Sequence, residues 1–551
     1  MIKRFLNSRS KSITFAAFLL SFSAIVSAAL GIIRDRLLAG KFGASAELDI
    51  YFAAFRIPDF VYGILVLGGV AVVFMPLFSE YFKKDEKEAW YFANNLLNCL
   101  WVLMVLICFT LFLFAPLIVN LITPGFSPEQ KQLTVSLTRI MFLSPVFFGL
   151  ASIFSGLLQY FNQFLVYSIA PLLYNLGIII GIVFFYPVFG LRGLGYGVVL
   201  GAFVFWLLQI PAARMSGYKY QLLLNFRSPG LIRAIKQMIP RTIGAAAYQI
   251  NLVIITAIAS QLVEGSITIF NFSNNMQAFP VNLIGIPFAL AAFPVLSQAW
   301  AAKAKEKFLD SFSSTFRQIL FLIIPCSALL FVLRAQVVRL ILGTGEYNWW
   351  ATRLTAASLG VFSLGIIALA FIPLLVRAFY SFHDTKTPVF ISLSAMLINI
   401  LLCYLFVFLL GFHNGFENFI ASILKLKGLG NIQVLGLPLA LSLSAIIQVT
   451  LLLVFLKRRL LEIKLREICK SLEKIVYSTF FMSLLAYLTL VIVAQVFTSL
   501  SLEIDTFFEL LIQTGLAALV GGTAYLLINY YFKSPELRTI KSSVINQFRK
   551  R

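Results

Sequence analysis

Between Gly265 and Ala302 the chain carries no Asp, Glu, Lys or Arg. An uncharged stretch of this length exceeds what a bilayer core requires, since about 20 apolar residues in a helix cover its ~30 Å. Pro280, Pro287 and Pro294 fall inside the stretch, so a helix there is expected to bend. Comparable apolar runs recur along the chain. They are continuous rather than alternating, which excludes a β-barrel. Only 12% of the 551 residues are charged and 60% are hydrophobic, too little charge to coat a soluble protein of this size. The fold class is therefore that of an all-α polytopic membrane protein.

The ~20-residue criterion predicts about 14 spans, at 12–33, 50–78, 90–117, 132–160, 166–187, 191–212, 240–263, 267–299, 313–333, 352–378, 388–411, 432–456, 474–497 and 506–531. The apolar run after Lys3, Arg4, Arg9 and Lys11 is too long for a signal-peptide core and reads as the first span. With the N-terminus in the cytoplasm, roughly three quarters of the 44 Lys and Arg fall on inner segments, a strong positive-inside bias. Topology therefore accounts for most of the net charge of +22. Both termini are expected to be cytoplasmic, the C-terminal one with a basic tail.

The chain repeats itself at an offset of roughly 220 residues. The segment around Pro76 resembles the one around Pro294, Asn175 aligns with Asn399, and the glycine-rich span after Gly190 resembles the span after Val434. Three matches in order suggest a duplicated six-helix unit, with an even helix count that makes both copies enter from one side. The predicted organisation is an N-terminal lobe (1–213), a cytoplasmic amphipathic linker (214–240), a C-terminal lobe (241–457), and two extra helices with a basic tail (458–551). Leu222–Leu224, Leu231, Ile232 and Ile235 alternate with basic residues in the linker, so an amphipathic helix on the inner surface is expected there.

Gly31–Phe60 breaks the apolar pattern with Arg34, Asp35, Arg36, Lys41, Glu47, Asp49, Arg56 and Asp59. Charges so placed are costly unless they face water, a ligand or one another. Arg34, Arg36 and Lys41 fit either snorkelling at the interface or lining a cavity. Asp49 and Arg56 are about two helical turns apart and share a face. Arg56 and Asp59 form an i, i+3 pair. This polar face is expected to line a cavity. The matching stretch of the second repeat, Thr242–Pro280, holds only Glu264. A cavity polarised in this way suits an anionic ligand, because the planar fork of Arg engages two oxygens at once.

No nucleotide-binding, zinc-protease or serine-hydrolase motif is present. Cys99, Cys108, Cys326, Cys403 and Cys469 show no paired spacing and read as small hydrophobes. The glycines Gly190, Gly193, Gly195, Gly197 and Gly201 point to close helix packing rather than phosphate cradling. His383 and Asp384 are adjacent in an inner loop, where loop ordering fits better than catalysis. A duplicated body without an ATPase motif reads as a secondary transporter, with its site between the repeats. A non-transporting scaffold is the alternative, although it has no need of Asp49 and Arg56 within a membrane helix.

The segments RDRLLAGKFGASAELDIYFAAFRIPD (Arg34–Asp59), VFMPLFSEY (Val73–Tyr81), TPGF (Thr123–Phe126) and FYSFHDTKTP (Phe379–Pro388) resemble the MurJ-type lipid II flippase family of the multidrug/oligosaccharidyl-lipid/polysaccharide exporter superfamily. The resemblance covers roughly the whole chain, including two helices beyond a twelve-helix core. It implies a bacterial inner-membrane protein that moves the undecaprenyl-pyrophosphate-linked peptidoglycan precursor to the outer leaflet. It implies no cofactor, no metal and no enzymatic activity, with membrane lipids and cell-wall synthesis enzymes as partners. Another lipid-linked oligosaccharide or a small amphiphile is the alternative cargo. On this reading Arg34, Arg36, Asp49, Arg56 and Asn275 bind substrate, while Asp35, Asp59, Asp384 and Lys386 serve structure or gating. Relatives often carry Arg where this chain has Ala28, Tyr62 and Asn275, and Glu where it has Leu67 and Ala278. Asn399 resembles a cation-site position of the family, with Cys403 where a carboxylate sometimes stands.

Overall fold

The computed structural model describes residues 13–460, 464–500, 506–539 and 541, and every regular element among them is helical. The basic residues expected to hold the chain ends in the cytoplasm, Lys3, Arg4, Arg9 and Lys11 at one end and Arg549, Lys550 and Arg551 at the other, lie outside the described residues. The chain packs as two units. The first comprises Met1–Thr268 with Thr344–Tyr347, and the second comprises Ile269–Gly343 with Asn348–Arg551.

The first unit opens with α1 (Ile13–Phe42), whose last turns carry Arg34, Asp35, Arg36 and Lys41. The second expected span is a relay. It runs from α2 (Ala46–Val61) through a π-helical stretch (Tyr62–Val70) into α3 (Ala71–Lys84). Then come α4 (Glu86–Leu113), the short α5 (Ala115–Ile122), and α6 (Pro128–Met141) leading into α7 (Leu143–Tyr160). Next, α8 (Phe164–Ile180) passes through a π turn (Gly181–Phe185) to the short α9 (Tyr186–Phe189). The unit continues with α10 (Arg192–Met215) and α11 (Pro229–Ala259). By packing, α11 belongs with the first unit. The expected linker helix is only half present. Residues 217–228 are not helical, and the helix starts at Pro229 behind an N-cap in which Ser228 accepts from the Leu231 N–H.

The second unit takes in most of α12 (Ser266–Pro280), whose first turn belongs to the first unit, then a π turn (Val281–Gly285) and α13 (Ile286–Ala301). It continues with α14 (Lys305–Leu342), α15 (Trp349–Ser381), α16 (Lys386–Leu409), α17 (Gly415–Ile423), α18 (Gly436–Leu460), α19 (Leu465–Ser499) and α20 (Phe507–Tyr531). Among the described residues, eleven helices are long and apolar enough to cross a membrane, or twelve if bent α11 is one span. The other two of the 14 spans expected from the sequence fall on α1 and the α2–α3 relay, which are not among these helices. The two π stretches that precede α3 (with Pro76) and α13 (with Pro294) fall at matching places in the sequence repeat.

Aromatic residues fill both interiors. Phe74 and Phe78 of α3 are fully buried, Phe78 meeting Tyr160 edge-on at 5.1 Å. Trp300, Phe308 and Phe382 cluster in the second unit, with Phe316 stacked on Phe371 at 4.1 Å. Offset and edge-on ring pairs of this kind add to the burial energy. The two helices beyond the repeat are fastened to α14, since the Tyr525 hydroxyl donates to the Phe321 carbonyl at 2.7 Å. The glycines of α10 let it lie directly on α8. A Cβ on Gly197 would stand 2.5 Å from the Gly181 Cα, and one on Gly201 would stand 2.6 Å from the Tyr174 carbonyl oxygen.

Candidate functional site

Four of the charged residues of α1 and α2, namely Arg34, Asp35, Arg56 and Asp59, come together inside the first unit. Arg34 and Asp35 are sequence neighbours, and the carboxylate of Asp35 captures the guanidinium, accepting from Nε at 2.9 Å and from Nη2 at 2.7 Å. Arg34 Nη1 donates to Asn175 Oδ1 at 3.2 Å, and the Asn175 amide donates in turn to Ser27 Oγ. An Arg has five N–H donors, so this clamp fixes the fork and leaves donors over. The Arg34 side chain is 23% exposed. Arg36 is half-buried. Lys41 donates to the Ile182 carbonyl at 2.9 Å and sits over the Tyr186 ring. It is therefore tied to the π turn after α8 while remaining exposed.

Asp49 is 4% exposed. Its carboxylate accepts from the Gly265 N–H at 2.8 Å, the Thr268 N–H at 2.8 Å and the Thr268 hydroxyl at 2.7 Å. The first turn of a helix leaves its N–H groups without partners and carries partial positive charge. Asp49 caps α12 from another helix, and its oxygens are taken up by that cap. Gly265 holds φ +87, and a Cβ there would stand 2.5 Å from the Ala44 carbonyl oxygen, so only glycine suits the turn. Nearby, Glu264 accepts from the Ala46 N–H.

Arg56 is buried two turns further along the same face of α2, and its Nε donates to Thr256 Oγ1 of α11 at 2.7 Å. The expected Arg56–Asp59 ion pair does not form. Arg56 turns to α11, and Asp59 is half-buried without a hydrogen bond or ion pair among the described residues. Asp59 lies within electrostatic reach of Arg34, Arg56, Tyr62 and Tyr174. The result is an interior cluster of two arginines, one unbonded carboxyl and phenol groups. Such a set can hold oxyanions through Arg and hydroxyl groups through Asp and Tyr.

The remaining expected site residues lie in the second unit. Asn275 is exposed on α12. Asp384 caps α16: its carboxylate accepts from the Thr387 N–H at 3.0 Å and the Thr387 hydroxyl at 2.8 Å, and it pairs with Arg459. Lys386 is exposed beside it, and His383 is exposed in the turn at φ +61. Burial would raise the Asp384 pKa. The Thr387 hydrogen bonds and the Arg459 charge outweigh that and hold it below the usual carboxylate value. A depressed folded pKa gives stability that is present above the unfolded value of about 4 and lost as pH falls through the folded one. Asp384→Ala is therefore expected to cost about 1–2 kcal/mol at pH 7 through the lost cap. The gap from wild type should close in thermal melts below about pH 4; an unchanged gap there rules out the carboxylate as its cause. Asn399 is buried, donates to Ser444 Oγ at 3.1 Å and accepts from the Cys403 thiol.

Thr256, Thr268 and Tyr174 escaped the sequence reading as site residues, whereas Tyr62 stands at a position where relatives often carry Arg. Tyr174 had one available signal, its place beside Asn175 in an otherwise apolar run.

Comparison with known proteins bears on what this arrangement serves. Residues 38–507 match the family described as Lipid II flippase MurJ. A probable lipid II flippase MurJ of Buchnera aphidicola subsp. Acyrthosiphon pisum is 28% identical over 536 residues, covering 93% of this chain and 98% of the relative. The lipid II flippase MurJ of Burkholderia cenocepacia is 26% identical over 401 residues, covering 71% and 77%. Among solved structures, lipid II flippase MurJ in an inward closed conformation superposes with a TM-score of 0.73 at 25% identity, covering 94% of this chain and 98% of that one. An inward-facing multidrug transporter of the MATE family, at 15% identity and a TM-score of 0.64 over 81% of this chain and 98% of its own, shares the fold.

Proposed function

The chain belongs to the lipid II flippase MurJ family, and on that premise we propose that it carries lipid II, the undecaprenyl-pyrophosphate-linked peptidoglycan precursor, from the inner to the outer leaflet by alternating access. It is a multi-pass membrane protein. On this reading its home is the bacterial cytoplasmic membrane, both termini are cytoplasmic, and it acts as a transporter with no catalytic step of its own. The observation that carries the proposal is the family match over residues 38–507, joined to two arginines, Arg56 within the matched range and Arg34 just before it.

Arg34 and Arg56 are the residues we assign to the pyrophosphate, with Arg36 as a further cation and Asn275 as a neutral hydrogen-bonding contact. Asp35 holds the Arg34 fork, which supports preorganisation for a phosphate group. Asp59 suits the sugar hydroxyls. Asp49 positions rather than binds, because its oxygens are committed to α12.

The test is complementation in a bacterium depleted of its own lipid II flippase, scoring precursor exposed at the outer leaflet. The wild-type chain is expected to restore exposure. Arg34→Ala and Arg56→Ala are each expected to lower it at least about tenfold at equal membrane abundance, on the order of one lost charge-assisted hydrogen bond of about 1.5–3 kcal/mol. A wild-type chain that reaches the membrane and restores nothing points to another lipid-linked cargo, as the neutral residues Ala28, Tyr62 and Asn275 would allow.

A further inference from the structure

The non-helical segment between α10 and α11 is held along α4 by three asparagines. Asn94 donates to the Lys219 carbonyl at 3.0 Å and accepts from the Gln221 N–H at 3.0 Å. Asn98 donates to the carbonyls of Gln221, at 2.8 Å, and Leu223, at 3.1 Å. Asn95 accepts from the Asn225 N–H at 2.7 Å and donates to the Asn225 carbonyl at 2.9 Å. All three asparagines are buried. Non-helical backbone at membrane depth is tolerated only where its polar groups are satisfied by protein, and these amides satisfy this strap at alternate residues.

The intervening residues are large and apolar. Tyr220, Leu222, Leu224 and Phe226 are between 49% and 73% exposed. The pattern has the period of two of an extended chain. It passes into a helical stripe on α11, where Ile232, Ile235, Ile239 and Ile243 are exposed at i, i+3, i+7 and i+11. Beside the stripe lies a cavity of about 480 Å³ lined by Arg227, Arg233, Lys236 and Gln237. Arg233 pairs with Glu80 at 2.8 Å. The side chains of Arg227 and Lys236 have no hydrogen-bond or ion-pair partner among the described residues.

We propose that the strap and the first turns of α11 form a binding site for anionic phospholipid. The apolar comb beds into the headgroup–acyl boundary, and Arg227 and Lys236 hold the phosphate. By the Lys/Arg distribution this is the inner leaflet. An apolar comb this continuous is unfavourable in water, and a basic rim beside an apolar surface matches an anionic bilayer surface.

The experiment uses the full chain in nanodiscs, with Leu222→Cys carrying a bimane label in a Cys469→Ser background. Phe226→Cys serves as a second labelled site. The label is expected to be quenched by lipid-borne nitroxide and spared by aqueous iodide. Phosphatidylglycerol-borne nitroxide should quench more than phosphatidylcholine-borne nitroxide. Arg227→Gln and Lys236→Gln should each reduce that preference about fivefold, the weight of one basic residue at an anionic surface. Strong iodide quenching with no lipid quenching overturns the proposal and leaves the comb to a soluble protein partner. Equal quenching from the two lipids overturns the anionic site.

Discussion

Asp49→Ala is expected to leave a protein that reaches the membrane poorly and restores no precursor exposure. The reason is local. The substitution strips the acceptor from two backbone N–H groups, Gly265 and Thr268, and from the Thr268 hydroxyl. Each buried donor left without a partner costs about 1–3 kcal/mol. The loss should therefore be on the order of 4 kcal/mol, large against the whole stability of a domain. Asp49→Asn keeps one acceptor oxygen and should cost less than half as much. Thermal melts in detergent, read beside membrane abundance, separate this from a pure binding defect. If Asp49→Ala melts with wild type yet fails in transport, Asp49 touches the cargo and the positioning role is wrong.

Gly197→Val is the second large effect. The added Cβ would stand 2.5 Å from the Gly181 Cα and 2.8 Å from the Gly177 carbonyl oxygen. Both are backbone atoms of the facing helix, so no side chain can swing aside. Helix association within a bilayer depends on close packing rather than on the hydrophobic effect. Forcing α8 and α10 apart is expected to cost about 3 kcal/mol and to give aggregated or degraded protein. Gly515→Ala is the control, because a Cβ there meets nothing within 4 Å. It should be neutral or slightly stabilising through helix propensity. Equal yield and melting of the two variants would falsify the packing account.

The helical class, the approximate spans and the close packing of the α10 glycines were readable in the sequence, because each depends on local composition and period; that α8 is their partner was not. The two-turn spacing of Asp49 and Arg56 also placed both on one face of α2 as expected. The partners of that face were not readable. Thr256 and Thr268 lie some 200 positions downstream, and only the tertiary fold brings them near. The same limit explains Asp59. Its i, i+3 spacing from Arg56 permits a pair, but a buried guanidinium takes the partner that lies along its χ angles, here a threonine on α11. The linker shows a different limit. Its alternating residues fit a strand period as well as an amphipathic helix, and the choice depended on Asn94, Asn95 and Asn98 in a distant apolar span.

The π stretch Tyr62–Val70 bears on how this chain tolerates change in length. A π turn closes its hydrogen bonds over five residues instead of four, so it holds an extra residue within a helix that otherwise keeps its course. Losing one residue there returns the turn to α-helical form and leaves Phe74 and Phe78 aimed at the same core. Losing one of the α3 residues before Phe74 would swing both rings by about 100° relative to the preceding span. The stretch is thus a place where evolution can lengthen or shorten the second span by one residue without rebuilding the aromatic core beyond it.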